Sequence, residues 1–508
     1  MKINQLKSGV ILSYATQAVH IVTNILYTPI ILRILGQSDY GLYQLVSSVV
    51  SNLSLLSFGF GSSYVRFFAR YEAKKDTENV AKLNGMFLLI FLVLASLCIL
   101  CGGVMVVNAG AIFGDGLTNA ELNRSRILMA LMVFNMAVNF VSMVFGSYVT
   151  AKEKFFFQRV LSLGVALSTP ILTLCMLLMG FGSIGLVMIS TITTLVSFLL
   201  NIYFCFNRLE MKFKFRNLKF EILKEMWIFT FYIFIGLIVD QINWSVDKFL
   251  LGRMMGTIAV AVYGIAAQFN TMYMSVSTSI SSVFIPRVNM IVEKKNNSKE
   301  LTDIFTKVGR VQFIILTLVL SGYVLFGREF IAIWAGDGYE TSYIIGLFLM
   351  LPVTIPLIQN IGIEIQRAKN MHKSRSYVYL FIAIANIFIS IPCIKIWGEV
   401  GAAIGTAISL TLGNIIFMNI YYHVRIKLDM IYFWKEIAKF IPAIAISVLV
   451  GYCIKSVLSL NNIIVFGTAI ILYCLVYLCT LWFIGMNENE KQMVSRPLKA
   501  IGGKLCRK

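Results

Sequence analysis

The sequence predicts an all-α polytopic membrane protein of about 14 transmembrane helices, and three observations carry that prediction. Of the 508 residues, 58% are hydrophobic and 13% charged, and mean hydropathy is +0.80. A soluble chain carries about 25% charged residues. Apolar stretches of the roughly 20 residues that a bilayer requires recur along the whole length. Lysine and arginine are concentrated in alternate connections, which is how membrane orientation is encoded.

In order, the stretches are 8–33, 40–65, 83–108, 126–150, 160–180, 184–206, 226–251, 258–285, 310–334, 342–366, 376–397, 400–422, 438–458 and 463–485. Lys2 and Lys7 precede the first. Its apolar run is too long for a cleaved signal peptide and lacks a small-residue cleavage site, so it reads as a span that stays. The basic connections include Arg66–Lys82, Lys152–Arg159, Arg208–Lys219, Arg287–Lys307, Arg367–Arg375 and Arg425–Lys439. The intervening connections at 36–41, 335–342, 397–401 and 460–462 are short and poor in basic residues. The positive-inside rule places the first set and both termini in the cytoplasm, which requires an even number of spans. The loop near 109–125, with Asp115, Glu121 and Arg124, makes a modest outer excursion.

The formal charge of +20 is accounted for by these connections. No aromatic-interleaved basic module points to nucleic acid. Eight of the nine cysteines sit in apolar runs, and the three histidines (His20, His372, His423) are far apart. Cysteine therefore reads as a small buried hydrophobe, and no metal or cofactor is expected. GFGSIG at 180–185 matches a dinucleotide fingerprint by letters alone, because it lies in a turn between spans with no strand before it. No catalytic motif appears.

The chain repeats itself. RILGQSDYGLYQLVSSV (33–49) resembles FLLGRMMGTIAVAVYGIAAQFNT (249–271): a glycine turn, then Tyr-Gly, then a polar-speckled span. SSYVRFFARYEAKKDTENVAKLNG (62–85) resembles SSVFIPRVNMIVEKKNNSKELTDIFTKVG (281–309), and GFGSIGLVMISTITTL (180–195) resembles WGEVGAAIGTAISLTL (397–412). Spans 1–6 thus match spans 7–12 as a parallel repeat about an axis along the membrane normal. The expected organisation is a first lobe at 1–222, a second at 223–430, two unmatched spans at 431–486 and a basic cytoplasmic tail at 487–508.

Polar residues within spans mark the candidate site. The seventh span carries Asp240, Gln241, Asn243, Asp247 and Lys248. Asp240, Asn243 and Asp247 follow i, i+3, i+7 and share a helical face. A charge at mid-membrane costs about 2.5–3.5 kcal/mol, so such groups normally face a protein interior or a wet cavity. The alternative is mutual pairing at the membrane edge. The first span carries Ser13, Gln17, His20, Asn24 and Thr28 as one stripe. Its hydroxyls read as interhelical hydrogen bonds; His20 reads as a cavity lining suited to proton coupling, or as a satisfied buried imidazole. Gln268 and Asn270 speckle the eighth span. Arg66 and Arg287 end spans 2 and 8, where snorkelling to headgroups explains them equally well. Pro352 and Pro356 break the tenth span near Gln359, Asn360 and Glu364.

Several residues carry a family resemblance. They are Gly36 with Tyr40-Gly41-x-Tyr43, Asp247 with Gly252 and Tyr263, Gln366-Arg367-Ala368-Lys369-Asn370-x-His372-Lys373-x-Arg375, and Gly398-x-x-Gly401-Ala402-Ala403-Ile404-Gly405-Thr406. In this order and spacing the whole chain resembles a polysaccharide exporter of the multidrug/oligosaccharidyl-lipid/polysaccharide superfamily, a Wzx-type flippase for O-antigen or capsule repeat units. Glu364 departs from the family pattern. The resemblance implies two six-helix lobes in a V, with two extra helices outside and spans 1, 2, 7 and 8 lining a cavity. It implies a cytoplasmic-membrane protein that is not an enzyme. The implied substrate is an oligosaccharide on a polyprenyl diphosphate, with membrane lipid and surface-glycan assembly proteins as further partners. Asn24, Asn243 and Gln268 would serve the sugar; His20, Arg66, Lys248 and Arg287 would serve the diphosphate. His20, Asp240 and Glu364 are the coupling candidates. A drug/cation antiporter of the same superfamily would instead use Asp240, Asp247 and Glu364. A glycan polymerase or ligase would need a sizeable outer loop.

Overall fold

The computed structural model describes residues 5–216, 221–294, 297–369, 371–458, 460, 462–488, 490–492 and 495. They form helices and connections, with no strand among them. Among the described residues, ten helical stretches are long and apolar enough to cross a membrane, from Ala15–Ser57 to Ile463–Gly485. The chain is a multi-pass membrane protein.

Two compact units divide the chain. The first holds Met1–Gly264 with Ser390–Ala402. Its helices are α1 (Gln5–Ser51), α2 (Phe60–Glu72), α3 (Thr77–Val107), α4 (Ala109–Phe113), α5 (Asn119–Ala151), α6 (Phe155–Leu178), α7 (Gly182–Asn207) and α8 (Glu221–Met255). The first expected span and the start of the second are the two limbs of α1, and the second span runs on into α2. α1 is broken at Gly36, whose φ of 72° is open to glycine without strain. The second limb of α1 gives way to a short 3₁₀ helix at Asn52–Ser57, and α2 restarts past Phe58 and Gly59, both left-handed. α3 packs on α5, α5 on α7 and α1 on α6. Tyr64, Phe87, Phe91 and Phe140 lie in this core, fully or almost fully buried. The Tyr64 hydroxyl donates to Asn84 Oδ1 at 2.6 Å, and the Asn84 amide donates to the Lys212 carbonyl at 2.9 Å. That second bond pins the segment after α7 onto α3.

The second unit holds Ile265–Ile389 with Ala403–Lys508. It contains most of α9 (Thr257–Lys294), then α10 (Ser298–Ala335), α11 (Thr341–Ile358), α12 (Ile361–Ala368) and most of α13 (His372–Leu410). α14 (Met418–Tyr421), α15 (Met430–Ala438), α16 (Ile441–Val457) and α17 (Ile463–Thr480) complete it. The break between α11 and α12 falls at Gln359–Asn360, just past Pro352 and Pro356, because proline withholds a backbone donor and clashes with the preceding turn. α13 breaks at Gly398, and the stretch around that break belongs to the first unit.

Arg310 on α10 is 3% exposed and engaged on all sides. Its Nε donates to Glu490 at 2.5 Å and its Nη2 at 2.9 Å. Nη1 donates to the Glu436 carbonyl at 2.6 Å and carboxylate at 3.2 Å. The guanidinium lies 4.2 Å from the Phe440 ring centroid. This pairing ties the exit of the last helix, through Gly485 and Glu490, to α10.

Candidate functional site

The polar band of α8 meets the second limb of α1, and the two helices pack together. Asp247 is 1% exposed. Its Oδ2 accepts from the Tyr263 hydroxyl at 2.7 Å, and its Oδ1 accepts from the Ser390 hydroxyl at 3.5 Å. Lys248 is one residue on, turned roughly 100° about the helix. Its ammonium donates to Gln44 Oε1 at 2.9 Å, and the Gln44 amide donates to the Tyr40 hydroxyl at 2.9 Å. Nearly two turns back along α8, the Gln241 amide donates to Ser51 at 2.6 Å and to Ser245 at 2.7 Å. These hydrogen bonds let the packed face of α8 carry Asp247, Lys248 and the Gln241 amide, since each would be costly to bury without a partner.

The arrangement offers a half-buried ammonium on a flexible stem, a point charge for an anion. Beside it lies a carboxylate with two hydroxyls, an oxygen set suited to a proton or a hard cation. Among the described residues no group of three His, Cys, Asp or Glu is placed to hold a metal ion.

The other expected residues fall in several places. Asn243 is half-buried on α8. The side chain of Asp240 lies outside the described residues. Gln17, His20 and Asn24 are exposed on the first limb of α1, and Arg66 is exposed on α2. Gln268, Asn270, Arg287 and Glu364 belong to the second unit. There Asn270 is buried and its amide contacts Met274 Sδ at 3.9 Å, Arg287 is exposed, and Glu364 pairs with Arg367 at 2.8 Å. The structure therefore joins Lys248 to Gln44 and Asp247 to Ser390, and joins Gln241 to Ser51 and Ser245, four partners that sequence reasoning passed over. Gln44, Ser48 and Ser51 follow i, i+4, i+7, a helical face that was visible in the sequence.

Both ends of α8 also meet other elements of the first unit. At one end Gly252 and Gly256 face Leu45 and Gly116, with a Cβ on Gly256 standing 3.0 Å from the Gly116 carbonyl oxygen. At the other end Glu225 pairs with Arg70 of α2 at 3.2 Å, both side chains more than half exposed.

The fold and site together define a helical multi-pass membrane protein with a buried, hydrogen-bonded polar band on α8. Comparison with known proteins agrees. Residues 6–292 match the family described as polysaccharide biosynthesis protein, and the chain belongs to it. The uncharacterized membrane protein EpsK of Bacillus subtilis is 23% identical over 407 residues, 78% of each chain. A putative O-antigen transporter of Shigella flexneri is 21% identical over 77% of this chain and 91% of its own. The inward closed conformation of the lipid II flippase MurJ shares the fold, with a TM-score of 0.72 at 16% identity, over 96% of this chain and 99% of that one.

Proposed function

We propose that the protein is a flippase that carries polyprenyl-diphosphate-linked oligosaccharide units across the cytoplasmic membrane by alternating access, for surface polysaccharide synthesis. In this reading fourteen spans form two six-span lobes plus two further helices, and both termini are cytoplasmic. The protein is a transporter and not an enzyme, and its partners include membrane lipid and the other proteins of surface-glycan assembly.

The observation that carries the reading is Lys248, an ammonium held at membrane depth by Gln44. A diphosphate taken unpaired into a region of low dielectric would cost several kcal/mol or more, so its path needs a cation. Asn243 and Gln241 offer hydrogen-bonding groups to a sugar on the same helix. Gln17, His20, Asn24, Arg66, Gln268, Asn270 and Arg287 stay in the proposal as further lining groups, with His20, Asp240 and Glu364 as coupling residues.

Asp247 favours a second reading, drug/cation antiport, because a buried carboxylate one residue from Lys248 is what a cationic substrate would seek. Reversing one charge separates the two. In a strain lacking its own flippase, Lys248→Glu is expected to abolish surface-glycan export with the protein still in the membrane, and Lys248→Arg to retain it. Full export by Lys248→Glu removes this lysine as the diphosphate partner. Resistance to cationic dyes on expression of the wild type replaces the flippase by the antiporter.

A further inference from the structure

We propose that Glu121 is the fastener that closes the transport path at the Gly252–Gly256 end of α8 and releases to open it; this rests on the alternating-access reading above. Four hydrogen bonds from three segments converge on this one carboxylate. Oε1 accepts from the Ser38 hydroxyl at 2.6 Å and from the Thr257 hydroxyl at 2.8 Å. Oε2 accepts from the Thr118 backbone N–H at 2.9 Å and hydroxyl at 2.8 Å. Ser38 lies just past the Gly36 break of α1, Thr118 caps α5, and Thr257 opens α9. Glu121 therefore joins the start of the second repeat's eighth span to two segments of the first repeat.

The backbone around it is shaped for contact. A Cβ on Gly41 would overlap the Thr257 carbonyl oxygen, and one on Gly116 would overlap the Gly252 carbonyl oxygen. A direct bond between these surfaces, from the Thr257 hydroxyl to Ser38 at 3.5 Å, is too long to hold them alone. The carboxylate holds them, and it does so reversibly. Its four donors are neutral, and its bonds to Ser38 and Thr118 are exposed, so water can take their place as the segments part. The neighbouring pair, Arg124 Nη1 to Asp39 Oδ1 at 2.6 Å, joins α5 to the α1 turn and leaves α9 free of it. Among these bonds those to Thr257 are the ones that opening must break.

The test uses the full chain in membranes with its nine native cysteines replaced. Ser38 and Thr257 place their hydroxyl oxygens 3.5 Å apart, within reach of a disulfide after substitution. Oxidised Ser38→Cys/Thr257→Cys is expected to lose glycan export about tenfold or more and to regain it on reduction, because a covalent link replaces a bond that must break. A cross-linked protein that exports normally overturns the proposal. The second arm reads closure directly. Leu45→Cys is buried against Gly252. Its labelling by a membrane-impermeant maleimide on intact cells is expected to rise about tenfold when Glu121→Ala is added. Unchanged labelling overturns the proposal. If the wild type exports no lipid-linked glycan at all, the flippase reading fails while the labelling arm still decides the role of Glu121.

Discussion

At one end of α8 backbone meets backbone: Gly252 and Gly256 lie against Leu45 and Gly116, and Gly41 lies under the Thr257 carbonyl. At the other end two long side chains, Arg70 and Glu225, meet in the open at 3.2 Å. The first contact is short-ranged and specific, because every added methyl group has nowhere to go. The second tolerates movement of its partners and is worth about 0.2–1 kcal/mol, less at high salt. One helix therefore carries a precise closure and a loose one, with its charged band between them.

The widest test of this contrast asks which end faces outward. Single cysteines at Asp337 or Glu340 are expected to react with an impermeant thiol reagent on intact cells, and a cysteine at Lys299 to stay unlabelled. The reverse pattern would turn the chain over and exchange the roles of the two ends. The next largest effect belongs to Gly41→Val. Its side chain would overlap the Thr257 carbonyl, and overpacking of this kind costs about 1–3 kcal/mol. A lowered melting temperature in detergent and a loss of export are expected together. Normal values for both would mean that this end is no tighter than the other.

In the middle of α8, Asp247→Asn keeps the shape and removes the charge that receives the Tyr263 hydroxyl. Hydrogen bonds to charged groups are worth about 1.5–3 kcal/mol, so export is expected to fall about tenfold or more. Unchanged export with unchanged pH dependence would remove the charge from the mechanism. The smallest effect is expected at the open end. Arg70→Ala should change stability by less than about 1 kcal/mol and leave export near normal. A severe loss there would show that the exposed pair does more than its geometry allows.

Much of this was legible in the sequence, and what was not has a physical cause. Gly36 and the Tyr40-Gly41 step announced the break in α1 because glycine is written wherever backbone must turn or touch. Asp247 and Lys248 stood out because charge is rare in an apolar run. Their partner Gln44 did not, since serines around it bond their own helix, as Ser48 does to the Leu45 carbonyl, and dilute the signal. The His20 stripe lies along α1, but what covers each of its residues is a tertiary fact. Here His20 and Asn24 stand exposed. Arg310 stands at the edge of an apolar stretch, and nothing near it in sequence announces acceptors that lie far along the chain.

That distance has a consequence in time. Arg310 finds Glu490 across 180 positions of sequence. At about 5–20 residues per second, a ribosome needs roughly 10–40 seconds to travel that far. Throughout that interval the guanidinium is already made and the Glu490 carboxylate is not, while that of Glu436 arrives 126 positions on. The second unit thus completes its ion pairing only near the end of synthesis. A nascent chain interrupted before Glu490 holds an arginine without that carboxylate, which gives membrane quality control a feature to recognise.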